Sequence, residues 1–477
     1  MALGKKLFEI GEDLIPRGMS TSDDLGDQGF SPSTDAVNLI ATPGIAYAPC
    51  QPTDKSTNVA DTIIASCDDA SHTYDRVFVG TAGKFYGWNS TTMTVVATDG
   101  TRQYSAGKTD MASYGNYVYG TSATYVWEWQ VSGASVNQTY FAFPSSSGSY
   151  SWNPGAMAHP CIVYEGNIYY GNGPQLLRQT VVGGTPTEIL LLSNFGEAII
   201  ALGIDPGSGK MLISTASTYN ASDTINTVNR VYYYDGFSNK ALKVSIVDDM
   251  ITAFKSVGSL VYVGYGLNLG YWDGSGIQFL RKLNLSFSGD DLLYKHHMTN
   301  VGTTLYVIEN RQILAHGPVR SAGNRVFYYA FKNYENSNDL QHITSLGQGI
   351  IGMSFTTNKF FTWSTTDVST TNTQVFKTNM FNFPDEVWLE RVRIVWKNQV
   401  SNNVDPGSIR FNDENGTIKS VGQTGLFDLT NTSGAANARK DILNVNIKVT
   451  QVQCELILAT VNPGIMRIIG YGKLANK

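Results

Sequence analysis

The sequence predicts an all-β chain. A roughly seven-bladed β-propeller spans residues 60–383, an N-terminal extended arm with a propeller-closing strand spans 1–59, and a C-terminal β-sandwich spans 384–477. Three observations predict this. A loose internal repeat recurs at a mean interval of about 48 residues, the length of a four-stranded blade. Its second strands are apolar or aromatic at nearly every position, as strands covered on both faces must be. Beyond Pro384 the pattern changes to alternation, the mark of strands with one buried and one wet face.

The arm does not repeat. Residues 16–49 are rich in Ser, Asp, Gly and Pro and read as extended chain. Residues 37–47 are expected to pair into the last blade, which removes two free sheet edges. The alternative is an arm that docks on a neighbouring subunit.

The repeat copies start at Ile63, Met111, Ile162, Ile199, Ile251, Met298 and Ile351. The clearest copy covers 251–283. One strand-like run (251–257) meets Gly258, a second covers 260–264, then come Tyr271-Trp272-Asp273-Gly274 and a last run at 277–280. The recurrent Gly between the first two runs supplies a turn position with positive φ. Stacking such sheets around an axis gives each one two neighbours. Seven copies predict seven blades. The irregular third and sixth copies leave six or eight as alternatives. A β-helix has shorter, parallel coils, and the Asp-Gly hairpin turns argue against it.

After Pro384, Val392, Ile394 and Trp396 face one way, and Arg391, Arg393 and Lys397 the other. Residues 408–421 read as a hairpin around Asp413-Glu414-Asn415-Gly416. Leu443, Val445, Ile447 and Val449 then alternate with Asn444, Asn446 and Lys448. These strands predict a small sandwich.

Charged residues are only 15% of the chain and aromatics 12%. Ser, Thr, Asn and Gly fill the polar positions. No apolar run reaches the ~18–20 residues of a membrane span. The formal charge of −5 comes without a large basic block, which gives no support for a nucleic-acid surface of the usual kind. Cys50, Cys67, Cys161 and Cys454 form no Cys-x-x-Cys pair and read as buried free thiols. The N-terminus lacks the apolar core of a secretory signal, yet the composition looks extracellular. Asn-x-Ser/Thr matches at Asn89, Asn137, Asn220 and Asn284 then read as chance. A virion protein, folded in the host cytoplasm and released by lysis, resolves that tension.

Candidate chemistry is sparse, and no catalytic, cofactor or metal residue is assigned. The stretch 203–210 resembles a phosphate loop, but Met211 stands where the Mg²⁺-binding hydroxyl belongs and no helix follows. The acidic pairs Asp23-Asp24, Asp68-Asp69, Asp248-Asp249 and Asp290-Asp291 read as loop residues. His296 and His297 are adjacent, a poor geometry for one metal. His159 and Cys161 could share a face, without an orienting acid. Trp127, Trp129, Tyr150 and Trp152, beside the serines of 145–149, are candidates for glycan contact, against the plainer reading of rings packed between blades.

The chain resembles the propeller-containing tail proteins of tailed bacteriophages, of the kind that form the nozzle of a short tail. The resemblance rests on Leu14-Ile15-Pro16-Arg17-Gly18, Ser33 to Asn38 and Pro43-Gly44 near the start. It rests also on the aromatic-Asp-Gly turns at Tyr234-Asp235-Gly236 and Trp272-Asp273-Gly274, and on the sandwich opening at Arg391-Val392-Arg393. It implies a virion structural protein without catalysis. The protein would form a ring with itself and contact other tail proteins such as adaptor and fibres. It would contribute to a channel whose neutral-to-acidic lining lets phage DNA pass without sticking. The alternative it leaves is a receptor-binding tail protein that holds host-surface glycans.

Overall fold

The computed structural model describes residues 5–10, 33–37, 39–42, 45–49, 53–99, 104, 109–122, 124–143, 159–192, 197–217, 228–283, 292–309, 312–318, 325–332, 339–356, 358–364, 374–378, 381–413, 416–418, 426–458 and 465–475. The chain is all-β, and its seven four-stranded antiparallel sheets are arranged as a seven-bladed β-propeller. It divides into two compact units. One comprises 54–310 and 338–362, the other 1–53, 311–337 and 363–477.

The first unit holds the whole inner ring. The first strands of the sheets are Ile63–Asp68, Met111–Tyr114, Cys161–Tyr164, Glu197–Asp205, Ile251–Val257, Met298–Val301 and Leu340–Gly347. Each touches the next, and the seventh touches the first, so they line the axis. The fifth blade shows the ladder plainly: Ile251–Val257, Leu260–Tyr265, Asn268–Trp272 and Ile277–Lys282 pair in sequence order. The turn glycine between first and second strands has positive φ in successive blades, at Gly115, Gly166, Gly209, Gly258 and Gly302.

Burial explains the unbroken apolar runs. In Arg76–Gly80, Val77 and Val79 pack with Phe85 against Met111, Val118, Trp127 and Trp129 of the second blade. Phe78, between them, packs against Leu346 and Phe360 of the seventh. In Lys210–Ser217, Met211 and Ile213 face Tyr169 and Leu176 of the third blade, while Leu212 faces Phe254 and Val263 of the fifth. Alternate side chains thus serve opposite neighbours, and every position is apolar.

The seventh sheet differs from the sequence expectation in two ways. Its first strand is Leu340–Gly347, and Ile351 lies on the second, Ile350–Phe355. Gln341, His342 and Thr344 are buried on that first strand between Leu340, Ile343 and Leu346, so no unbroken apolar run marks it. The N-terminal strand that completes the sheet is Thr53–Asp54. Leu39–Thr42 and Ile45–Pro49, expected in that role, instead pair with each other, and the latter also meets Ile465–Leu474. The third and fourth strands of the third blade (Gln175–Gln179, Thr187–Leu191) and the third of the sixth (Gln312–Pro318) carry no aromatic residue, and sequence reading passed over them.

In the second unit an eleven-stranded network is organised around two long strands, Phe381–Val400 and Asn437–Leu458. Phe381–Val400 lies between Asn437–Leu458 and Ile465–Leu474. The last residues of Asn437–Leu458 pair instead with Gly407–Asp413 and Gln374–Thr378, so this strand belongs to two ladders. Val392, Ile394 and Trp396 are buried, as their alternation predicts.

Candidate functional site

Ionisable side chains meet at the propeller axis. Asp110, 1% exposed, precedes the first strand of the second blade. Lys295, on the segment entering the sixth blade, places Nζ 2.9 Å from Asp110 Oδ1 and donates to the Cys161 carbonyl at 3.4 Å. The sixth blade neighbours only the fifth and seventh, so Lys295 reaches the second and third across the axis. The backbone N–H groups of Met111 and Cys161 donate to the Asp110 carboxylate, and His296 Nε2 lies 3.5 Å from it. Burial would raise the Asp110 carboxyl. The Lys295 ammonium, His296 and these hydrogen bonds outweigh it and hold the group below the usual carboxylate range. Burial opposes the Lys295 charge, yet Asp110 raises it.

Two further histidines stand beside this brace. Burial, with His296 nearby, pushes His297 down to about 3, and His342 well below its ordinary value. His297 Nδ1 accepts the Tyr294 N–H at 3.2 Å, and His342 Nε2 lies 3.0 Å from the Ser66 hydroxyl. Among the described residues no group of three His, Cys, Asp or Glu is placed to hold a metal. The His159 ring stacks on Phe143 at 3.7 Å and bonds the Gly171 carbonyl, and burial pushes the Cys161 thiol far up. This arrangement does not present a nucleophile to a base. Cys67 and Cys161 are free thiols, and Cys50 lies outside the described residues.

A cavity of about 630 Å³ in the same unit is lined by Asp68, Arg76, Lys255, Thr299, Ser345 and Gln348, among others. Asp68 is taken by Arg76 at 2.7 Å. Asp69 and Asp75, also at this cavity, accept from Ser71 and Tyr74 and from Ser90. Burial, then Arg76 and Lys295, push the Lys255 ammonium down to about 8. The phosphate-loop look-alike is a hairpin turn, with Asp205 accepting from Gly207 and Ser208. Of the other acidic pairs, Asp248 and Asp249 are exposed, while Asp23-Asp24 and Asp290-Asp291 lie outside the described residues.

Of the glycan candidates, Trp127 and Trp129 are fully buried between the first and second blades, with Phe85 at 5.1 and 5.3 Å. Neither ring has a face open to a sugar. Tyr150 and Trp152 lie outside the described residues.

Two surface features were not legible in the sequence. The outermost strands of the fourth and fifth blades, Lys243–Val247 and Ile277–Lys282, expose Val244, Ile246 and Phe279, with Phe237 and Leu242 in the preceding loop. In the second unit, one sheet face gathers four arginines. Arg391 stands opposite Leu443 and Tyr471, Arg393 opposite Asp441 and Ile469, and Val395 opposite Arg439 and Arg467. Directly paired residues and residues two apart share a face. The Arg391 guanidinium lies 4.3 Å from the Tyr471 ring centre, and Arg393 is paired with Asp441 through two hydrogen bonds. A groove of about 680 Å³ runs over this face, and no acidic residue lines it. The single alternating strand showed Arg391 and Arg393. Arg439 and Arg467 come from partner strands, and only the register brings them in.

No protein-family model and no curated protein matches the chain. Among solved structures, the computationally designed Ika8 protein is similar at 10% identity and a TM-score of 0.41, over 65% of this chain and 98% of that one. Raptor from Chaetomium thermophilum is similar at 9% identity and a TM-score of 0.43, over 67% of this chain and 30% of that one. Among the described residues no helix is long and apolar enough to cross a membrane.

Proposed function

We propose that the protein is a non-catalytic building block of a tailed-phage virion, a ring-forming tail component of nozzle or tail-tip type that contributes to the channel for genome delivery. The carrying observation is the apolar outer rim of the fourth and fifth blades, where Phe237, Leu242, Ile246 and Phe279 are each more than half exposed. Large apolar side chains left exposed in this number on neighbouring blades suit contact with another protein. The cross-axis contacts of Lys295 with Asp110 and the Cys161 carbonyl support a stiff body, and a passage for DNA would be the bore of the assembled ring. The tail-protein resemblance of the sequence supplies the particular assembly.

The test is incorporation into particles. Ile246→Lys and Phe279→Lys change exposed side chains and are expected to leave the melting temperature within about 2 °C, as surface substitutions do. They are also expected to reduce the copies of this chain recovered with purified virions. Undiminished incorporation of both variants would remove the rim from the account. Absence of the wild-type chain from purified particles would overturn the proposed function.

A further inference from the structure

We propose that the arginine face of Phe381–Val400, Asn437–Leu458 and Ile465–Leu474 is a docking surface for an acidic surface of a second copy of this chain. The inference rests on the assembly reading above and supplies one of its contacts.

The geometry is that of a recognition surface. Arg439 and Arg467 flank Val395 on either side, about 10 Å apart across two strand spacings. Arg393 and Arg391 follow along the central strand at steps of about 7 Å. Asp441 engages Arg393 alone, through Nε and Nη2 at 2.7 and 3.1 Å. Arg391 Nε and Nη2 are buried and make no hydrogen bond among the described residues. Arg439 and Arg467 are exposed, as is Leu443 at 59%. Planar guanidinium forks beside Tyr471, Ile469 and Leu443 give the composition that dominates protein–protein contacts, where aromatic and Arg side chains carry the energy. A surface for nucleic acid alone would have little use for the exposed leucine.

Charge decides the occupant. Residues 54–310 and 338–362 hold 21 Asp and Glu against 15 Lys and Arg, and residues 1–53 hold 7 against 3, whereas residues 363–477 hold 10 against 12. A copy of this chain is therefore an acidic partner for the face of another. Two different patches in contact make a heterologous interface, which closes into a ring when the rotation allows.

The test is sedimentation of the purified full-length chain against concentration, at about 0.15 M and about 1 M salt. The wild type is expected to self-associate at the lower salt and to weaken about tenfold or more at the higher. Arg439→Glu with Arg467→Glu is expected to abolish that association. Arg439→Gln with Arg467→Gln should weaken it less, with unchanged melting curves for both. Association that survives these substitutions would overturn the arginine face and leave the assembly reading standing. A wild-type chain that stays monomeric at every concentration would overturn the face too, while incorporation into particles judges the assembly separately. Arginine-dependent binding of a DNA oligonucleotide without self-association would overturn it in favour of a polyanion site.

Discussion

At the scale of single residues, the propeller centre makes stability depend on protonation. His297 and His342 are neutral and buried, with folded values below the unfolded one near 6.5. Below pH 6.5 the unfolded chain binds protons that the native state refuses. Stability therefore falls with pH, by about 1.4 kcal/mol per pH unit for each histidine. For His297 that loss continues down to its folded value of about 3. Asp110 works in a lower window. Its depressed carboxyl contributes fully above the unfolded value of 3.8 and is lost only as pH falls through the folded one. Urea midpoints at pH 7 and pH 5 are expected to differ clearly in the wild type, and the slope should flatten in His342→Gln. Equal wild-type midpoints would contradict the neutral-histidine assignment. Lys295→Met should cost about 3–5 kcal/mol, because it strands the buried Asp110 carboxylate, and Asp110→Asn should cost less, because Lys295 is partly exposed to water. The double variant should cost less than the sum of the two, and strict additivity in chemical denaturation would show that no brace exists.

At the scale of elements, the interfaces between neighbouring sheets hold the wheel together. Trp127 fills the space between the first two blades and lies against Gly120, where an added Cβ would meet its ring at 1.8 Å. Trp127→Ala is expected to cost about 3–5 kcal/mol, read from the denaturation midpoint. Gly258 has φ of +62° and open space around it, so Gly258→Ala tests backbone strain alone. A loss of about 1 kcal/mol is expected; no loss would mean that the turn relaxes. The fifth blade was legible because Leu260–Tyr265 is apolar throughout and Gly258 and Asp273-Gly274 mark its turns. Leu340–Gly347 was not, because buried Gln341, His342 and Thr344 interrupt its apolar residues Leu340, Ile343 and Leu346. The two-residue closing strand Thr53–Asp54 is too short for any periodicity to reveal.

At the scale of the whole molecule, what sequence could reveal follows the same physics. Local periods gave the propeller and the alternating C-terminal strands. Long-range register did not show in them, and with it stayed hidden the Lys295–Asp110 contact and the arginine face, since each joins residues far apart in the chain. Trp127 and Trp129 looked like binding rings in a one-dimensional reading because aromatic clusters on strands look alike whether they face solvent or the next sheet. If the seven-bladed wheel is a repeated part of a larger particle, electron microscopy of virions with a C-terminal label on this chain should show several label densities arranged around the tail axis at one level. Label absent from particles, with the chain free in the lysate, would contradict it.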